Sequence, residues 1–360
     1  FEVITLSKDS SFVKLVETFY SAVRKADTPQ FLSSAHALYN LLIAPVEKQI
    51  AGREKLVIIP HNILYKVPFE ALLKTPGQFE RKTVDYRRLD YLVKHFDISY
   101  HYSATLYAKS LQDRVADNAM AANNFMGFAP VFRDKDKTGY TLASQALSLL
   151  SKENDETMRG IVVDGRKFGE LKYSEGEVKS IVTLFGKKAR DEKSIGYFHG
   201  QATEQNFKKN LNNYRYVHIA THSFINQDKP ALSGIVFAQP TDSTASEDGV
   251  LYAAETYNLN LNADLVVLSS CESGLGKLIQ GEGMMAMTRG FLYSGAANLI
   301  FSLWKVSDKY SRDLMVAFYQ NALEGKSYAQ ALRQAKLKMI ANKATAAPRL
   351  WSSFVLIGVE

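Results

Sequence analysis

Two short apolar runs that stop abruptly constrain this chain more than any other feature. One is Tyr216-Val217-His218-Ile219-Ala220-Thr221-His222-Ser223. The other is Leu265-Val266-Val267-Leu268-Ser269-Ser270-Cys271-Glu272-Ser273-Gly274. A continuous apolar run bounded by a breaker reads as a strand buried on both faces, the kind that builds parallel sheets. His222 stands just past the end of one run and Cys271 just past the end of the other. In open α/β sheets, chemistry collects outside the carboxyl ends of the strands. An imidazole and a thiol delivered to one such edge form a candidate base and nucleophile.

The neighbours of these two residues test the reading. Cys271 is the only cysteine, and a free cysteine is often just a small buried hydrophobe. Here Ser269, Ser270, Glu272, Ser273 and Gly274 surround it, so it belongs to a strand end. His218 lies four residues before His222, a helical metal-pair spacing. On a strand that spacing means roughly 13 Å, so His218 is predicted to be a hydrogen-bonded core histidine. Gly276-Lys277 lacks the earlier glycine and the following Ser/Thr of a phosphate loop. Gly281-Glu282-Gly283-Met284-Met285-Ala286 matches GxGxxA but begins too far past its strand for a dinucleotide turn. No metal or cofactor is expected. One cysteine also excludes an internal disulfide and a multi-cysteine zinc site, which fits a reducing compartment.

The 360 residues can bury a large core. Helical spacing of Phe12, Leu15, Val16, Phe19 and Tyr20, then of Leu38, Leu41, Leu42 and Val46, predicts two helices over 9–51. Strands are predicted at 55–60, 96–102, 125–130, 195–198, 214–219, 232–238, 264–270, 298–304 and 351–357. Ser174, with Glu177 three residues on, predicts a capped helix that Gly186 ends; helices near 308–323 and 327–342 follow. Residues 131–170 read as charged loop or insertion. Strand and helix alternate through the second half, so the fold class is α/β, with a mostly parallel sheet flanked by helices. Net charge is +7, but the Lys and Arg residues are scattered, which argues against direct nucleic-acid binding. No apolar run is long enough to span a bilayer and no secretory signal opens the chain, so the expected setting is cytoplasmic. A chain that opens at Phe1 and enters a helix at once is expected to be a piece of a longer protein.

The motifs together resemble one family. Val217 to His222, Leu232-Ser233-Gly234, Asp264 to Gly274, Gly281-Glu282-Gly283, Ala296 to Asp308 and Trp351 to Gly358 are similar, in order, to the CHAT domain. That domain is caspase-like, in the clan of caspases, separases and metacaspases; caspases share the His-before-Cys order and a gap of about 50 residues, here 49. Val67 to Leu72 resembles the family more loosely. The resemblance implies a three-layer sandwich: a helical lead-in over 1–52, an inactive caspase-like half over 53–170 and a catalytic half over 171–360. Tetratricopeptide repeats often precede the domain in this family, and some bacterial relatives act in antiphage defence.

The activity implied is a cysteine endopeptidase with a His222–Cys271 dyad acting on a protein substrate, under control of a partner or upstream repeats. The oxyanion is expected to be held by the backbone N–H groups of Ser223 and Cys271; Ser223 stands where the family usually has glycine. No side chain is evident as a third member to orient His222. Asp308 has two readings, a helix N-cap or an acidic group in the substrate pocket; Asp228 and Glu272, with Asp242 and Glu247, are weaker pocket candidates. Two rivals remain: a non-catalytic scaffold, and a protease silent until the loops at 223–231 and 272–283 rearrange.

Overall fold

Strands buried on both faces must be covered by helices on both sides, and the chain alternates the two. The computed structural model describes residues 3–5, 10–77, 84–116, 123–132, 160–163, 166–189, 193–226, 228–240, 246–269 and 282–359. In chain order the elements are α1 (Ser10–Lys25), α2 (Thr28–Leu42), α3 (Glu47–Ile50), β1 (Lys55–Ile58), β2 (Asp97–Tyr100), α4 (Ala104–Ala116), β3 (Asn123–Ala129), β4 (Gly160–Val163), β5 (Arg166–Gly169), α5 (Ser174–Leu184), β6 (Ile195–Phe198) and α6 (Glu204–Asn210). Then come β7 (Tyr214–Ile219), β8 (His222–Phe224), β9 (Gly234–Val236), β10 (Val250–Tyr252), α7 (Ala253–Thr256), β11 (Leu265–Leu268), α8 (Glu282–Tyr293), β12 (Asn298–Ser302), α9 (Asp308–Ala322), α10 (Tyr328–Ala341) and β13 (Phe354–Gly358). Eight of the strands, three in one compact unit and five in the other, build parallel sheet.

The first unit comprises residues 1–116 and 317–360. Its strands run in the order β1-β2-β13, with Leu56 opposite Ile98 and Ile357 opposite Tyr100. Asp27 caps α2 by accepting the Gln30 N–H, and Pro29 sits in the first turn, where its missing N–H has no role to lose. A polar network is sealed beneath α10. The Lys336 ammonium, 1% exposed, lies 2.6 Å from Glu70. The Tyr100 hydroxyl donates to the other Glu70 oxygen at 2.5 Å and accepts the Phe69 N–H at 2.8 Å. Burial pushes the Lys336 pKa down and Glu70 opposes it.

The second unit, 117–316, orders its strands β12-β11-β7-β3-β6. Val267 stands opposite His218 on one side and Ile300 on the other, and Gly127 of β3 faces His218. All of β11 and β12 is buried, as continuous apolar runs require. Helix α5 packs on β3 and β6, and α8 on β12. Gly295 turns the chain into β12 at φ +112; a Cβ there would meet the Leu261 carbonyl oxygen at 2.1 Å. Antiparallel β8, β9 and β10 form a small second sheet, and β4 pairs with β5.

Three local expectations are corrected. Ser174 is the first helical residue of α5, not its cap, and its hydroxyl donates to the Leu171 carbonyl. Gly186 does not end that helix; residues 185–189 continue it as a wider π-turn. Residues 160–163 and 166–169, read as part of a loop or insertion, pair as antiparallel β4 and β5. Among the described residues no helix is long and apolar enough to cross a membrane.

Removing one partner of a buried ion pair strands the other. Glu70→Ala is therefore expected to lower stability by about 3–5 kcal/mol, measured by urea unfolding. Glu70→Leu combined with Lys336→Met should recover most of that loss.

Candidate active site

Strand β7 ends at Ile219, and the chain does not leave the sheet edge as a loop. The Ala220 N–H donates to Phe128, and the Thr221 hydroxyl donates to the Val236 carbonyl at 2.5 Å. These bonds turn the chain into β8, with His222 opposite Val236 and Ser223 opposite Ile235. Residues 222–224 are therefore buried strand, although 223–231 read as a polar loop. Ser223 lies outside the positive-φ region, so its backbone does not require glycine.

His222 is 5% exposed. Its Nε2 lies 2.6 Å from the Gly169 carbonyl oxygen. A carbonyl only accepts, so Nε2 carries the proton. Nδ1 then has the lone pair, with no hydrogen-bond partner among the described residues. The Phe132 ring stacks on the imidazole at 5.4 Å and Phe168 approaches at 5.2 Å. Burial pushes the imidazole pKa down to about 4. The Gly169 carbonyl and Asp308 pull it up, and Lys305 adds to the lowering. At neutral pH the ring is uncharged. The group that orients His222 is thus a backbone carbonyl, which no side-chain pattern could have disclosed.

Phe132 reaches the imidazole through a strained turn. Val131 and Phe132 have φ of +68 and +60, a region that costs non-glycine residues about 1–3 kcal/mol each. The Phe132 N–H donates to Pro130 at 2.8 Å, closing a three-residue turn around Val131. The Val131 carbonyl accepts the Leu171 N–H at 2.8 Å, tying this turn to the chain just past Phe168 and Gly169.

The structure places the remaining predicted residues as follows. Cys271 and Glu272 lie outside the described residues, as does Asp242. The strand leading toward Cys271 is described: Leu268 stands opposite Ile219, and Ser269 is buried. Asp308, a half-buried residue, opens α9; Oδ2 accepts the Tyr173 N–H at 2.9 Å and Oδ1 the Lys309 N–H at 3.0 Å. Arg312 lies over the Tyr173 ring. Asp228 is exposed. His218 is a core histidine, its Nε2 2.9 Å from buried Glu177.

Glu247 belongs to a separate cluster. Glu204, Glu247 and Glu255 each bring a carboxylate oxygen within 4.8 Å of the others. The Lys208 ammonium stands 2.5–2.8 Å from all three, so a cation already fills the position a metal would take. Burial raises the Glu204 carboxyl to about 7 against the pull of Lys208.

Residues 32–359 match the CHAT domain family. The chain belongs to that family. Tetratricopeptide repeat protein 28 of Homo sapiens is 25% identical to it, over 90% of this chain and 13% of the relative, and its Mus musculus counterpart is 26% identical over the same shares. This CHAT domain thus spans about 13% of the length of those curated relatives. Among solved structures, the Arg specific cysteine proteinase gingipain R matches with TM-score 0.50 at 10% identity, over 89% of this chain and 67% of that one. Saccharomyces cerevisiae separase, solved with securin, matches at TM-score 0.41 and 11% identity, over 76% of this chain and 15% of its own. The gingipain likeness agrees with a caspase-like α/β fold.

The depressed His222 pKa has a signed consequence. Its ordinary value of about 6.5 exceeds the folded one, so the unfolded chain binds the proton first. Stability is expected to fall as pH drops from about 6.5 to about 4, by at most about 3 kcal/mol. Urea unfolding across that range should show this fall, and His222→Gln should flatten it.

Proposed function

We propose that this CHAT domain is a cysteine endopeptidase that cleaves a protein substrate through His222 and Cys271. The observation that carries this reading is the neutral His222 imidazole, its Nε2–H held by Gly169 and its Nδ1 left with a lone pair, at the edge toward which the strand before the single cysteine also runs. In the proposed mechanism Nδ1 takes the proton from the Cys271 thiol as its sulfur attacks a peptide carbonyl. The backbone N–H groups of Ser223 and Cys271 hold the oxyanion. The imidazolium gives its proton to the leaving amine, and water, deprotonated by the same nitrogen, resolves the thioester to a carboxylic acid and the free thiol.

Asp308, with Asp228 and Glu272, is proposed to meet the substrate side chain beside the scissile bond. The arginine specificity of gingipain R supports a basic side chain there. Control by a partner or by upstream repeats rests on the family resemblance and on the tetratricopeptide-repeat relatives. A cytoplasmic setting rests on the lone cysteine, and a role in antiviral defence on the resemblance alone. The burial of His222 favours a second form of the reading, in which the chain is a scaffold or stays closed until a partner opens it.

The test is a search for new protein termini after incubation with wild type or Cys271→Ala. Wild type is expected to generate cleavage products, and Cys271→Ala to lose them while keeping its circular dichroism and melting temperature. Undiminished cleavage by Cys271→Ala would remove the assignment. A wild type that stays inactive with every partner supplied would favour the scaffold.

A further inference from the structure

The walls around His222 are aromatic. Two phenylalanine rings press on the imidazole, and neither comes from the strand that carries it. Phe132 arrives from the end of β3, Phe168 from the end of β5. Both are nearly inaccessible, at 3% and 7% exposure.

The backbone is strained where it presents the first ring. A β-branched residue, Val131, followed by Phe132, both at positive φ, is a conformation that persists only when its surroundings impose it. What holds it here is the bond from the Leu171 N–H to the Val131 carbonyl. That bond joins the segment bearing Phe132 to the segment bearing Phe168 and the Gly169 acceptor. Rings and acceptor therefore form one assembly around a single imidazole. Phe132, Phe168 and Leu171 share a buried apolar cluster with Phe224, Val236 and Val250, which excludes water from this side of the ring.

We infer that Phe132 and Phe168 are positioning residues. They grip the His222 imidazole in the orientation that keeps Nε2–H on the Gly169 carbonyl and Nδ1 free to act as a base. The inference rests on the peptidase reading for its catalytic meaning and on the geometry for the clamp itself. Without the rings the imidazole would gain both rotational freedom and water. The charged groups that act on it, Lys305 and Asp308, both lie past the end of β12, on a segment that carries neither ring.

The experiment follows His222 directly, by NMR of protein labelled at histidine carbon. The chain has seven histidines, and the His222 signal is the one lost in His222→Gln. In wild type it is expected to titrate near pH 4. In Phe132→Leu and in Phe168→Leu the midpoint should rise by about one pH unit or more as water reaches the ring. Phe132→Tyr, which keeps the ring, should stay near the wild-type value. Phe207→Leu shortens a fully buried ring that packs on Phe128 and Phe237 instead; it controls for general loosening and should leave the midpoint in place. Midpoints unchanged in both ring-shortened variants, or moved as far by Phe207→Leu, would overturn the clamp.

A second arm separates this from the peptidase reading. Iodoacetamide alkylates the chain's single thiol, and its rate against pH reports the coupling of Cys271 to His222. A profile unaltered by His222→Gln would sink the dyad, and with it the catalytic meaning of the clamp. An altered profile combined with unmoved NMR midpoints would sink the clamp and leave the dyad standing.

Discussion

The parallel pairing of β7 with β11 is the constraint on which the rest of the site depends. A parallel pair brings both carboxyl ends to one edge. Antiparallel pairing would separate them by the length of the strands, roughly 13 Å for four residues. Leu268 stands opposite Ile219, and on the other side of β7 Phe128 stands opposite the same Ile219. The three strands thus reach one level together. A few residues later β7 has become His222 and β3 has become the Val131–Phe132 turn. Because side chains alternate with a period of two, a slip of one residue would invert the buried faces.

Much of this arrangement was legible in the sequence, for a specific reason. The runs ending at Ile219 and Leu268 are apolar without alternation and stop at small polar residues, so their type, ends and shared edge could be read together. The runs at 195–198 and 214–219 coincide with β6 and β7. His218 could be set apart from His222 because one lies inside its run and the other beyond it.

The illegible parts depend on backbone atoms or on distant contacts. The acceptor for His222 is the carbonyl of Gly169, and every residue has a carbonyl. Val131 has a high β propensity, and nothing local announces a positive φ; that conformation is imposed by the bond from Leu171, forty residues on. The β4–β5 pair lies at the end of a charged stretch, where composition argued for loop. Ser223 follows two polar residues and yet pairs as a strand, because β9 offers it a ladder that no local pattern contains.

The electrostatics of His222 follow from the same strand order. Burial disfavours the imidazolium, and so does Lys305, while the Gly169 carbonyl and Asp308 favour it. The two charged residues lie on one short segment after β12, and β12 is the next strand beyond β11. The sheet therefore brings a cation and an anion of opposite effect near one ring. A neutral ground state suits a base that must accept a proton rather than already hold one. The groups that favour the imidazolium do so most strongly once it forms, in a dry site where a carbonyl dipole and a carboxylate are poorly screened. Burial keeps the imidazole unprotonated at rest, and Gly169 with Asp308 stabilises its charge when a proton arrives. Both effects require the ring to stay in one orientation, so the strained turn at Val131 is maintained by the same contacts that define the site.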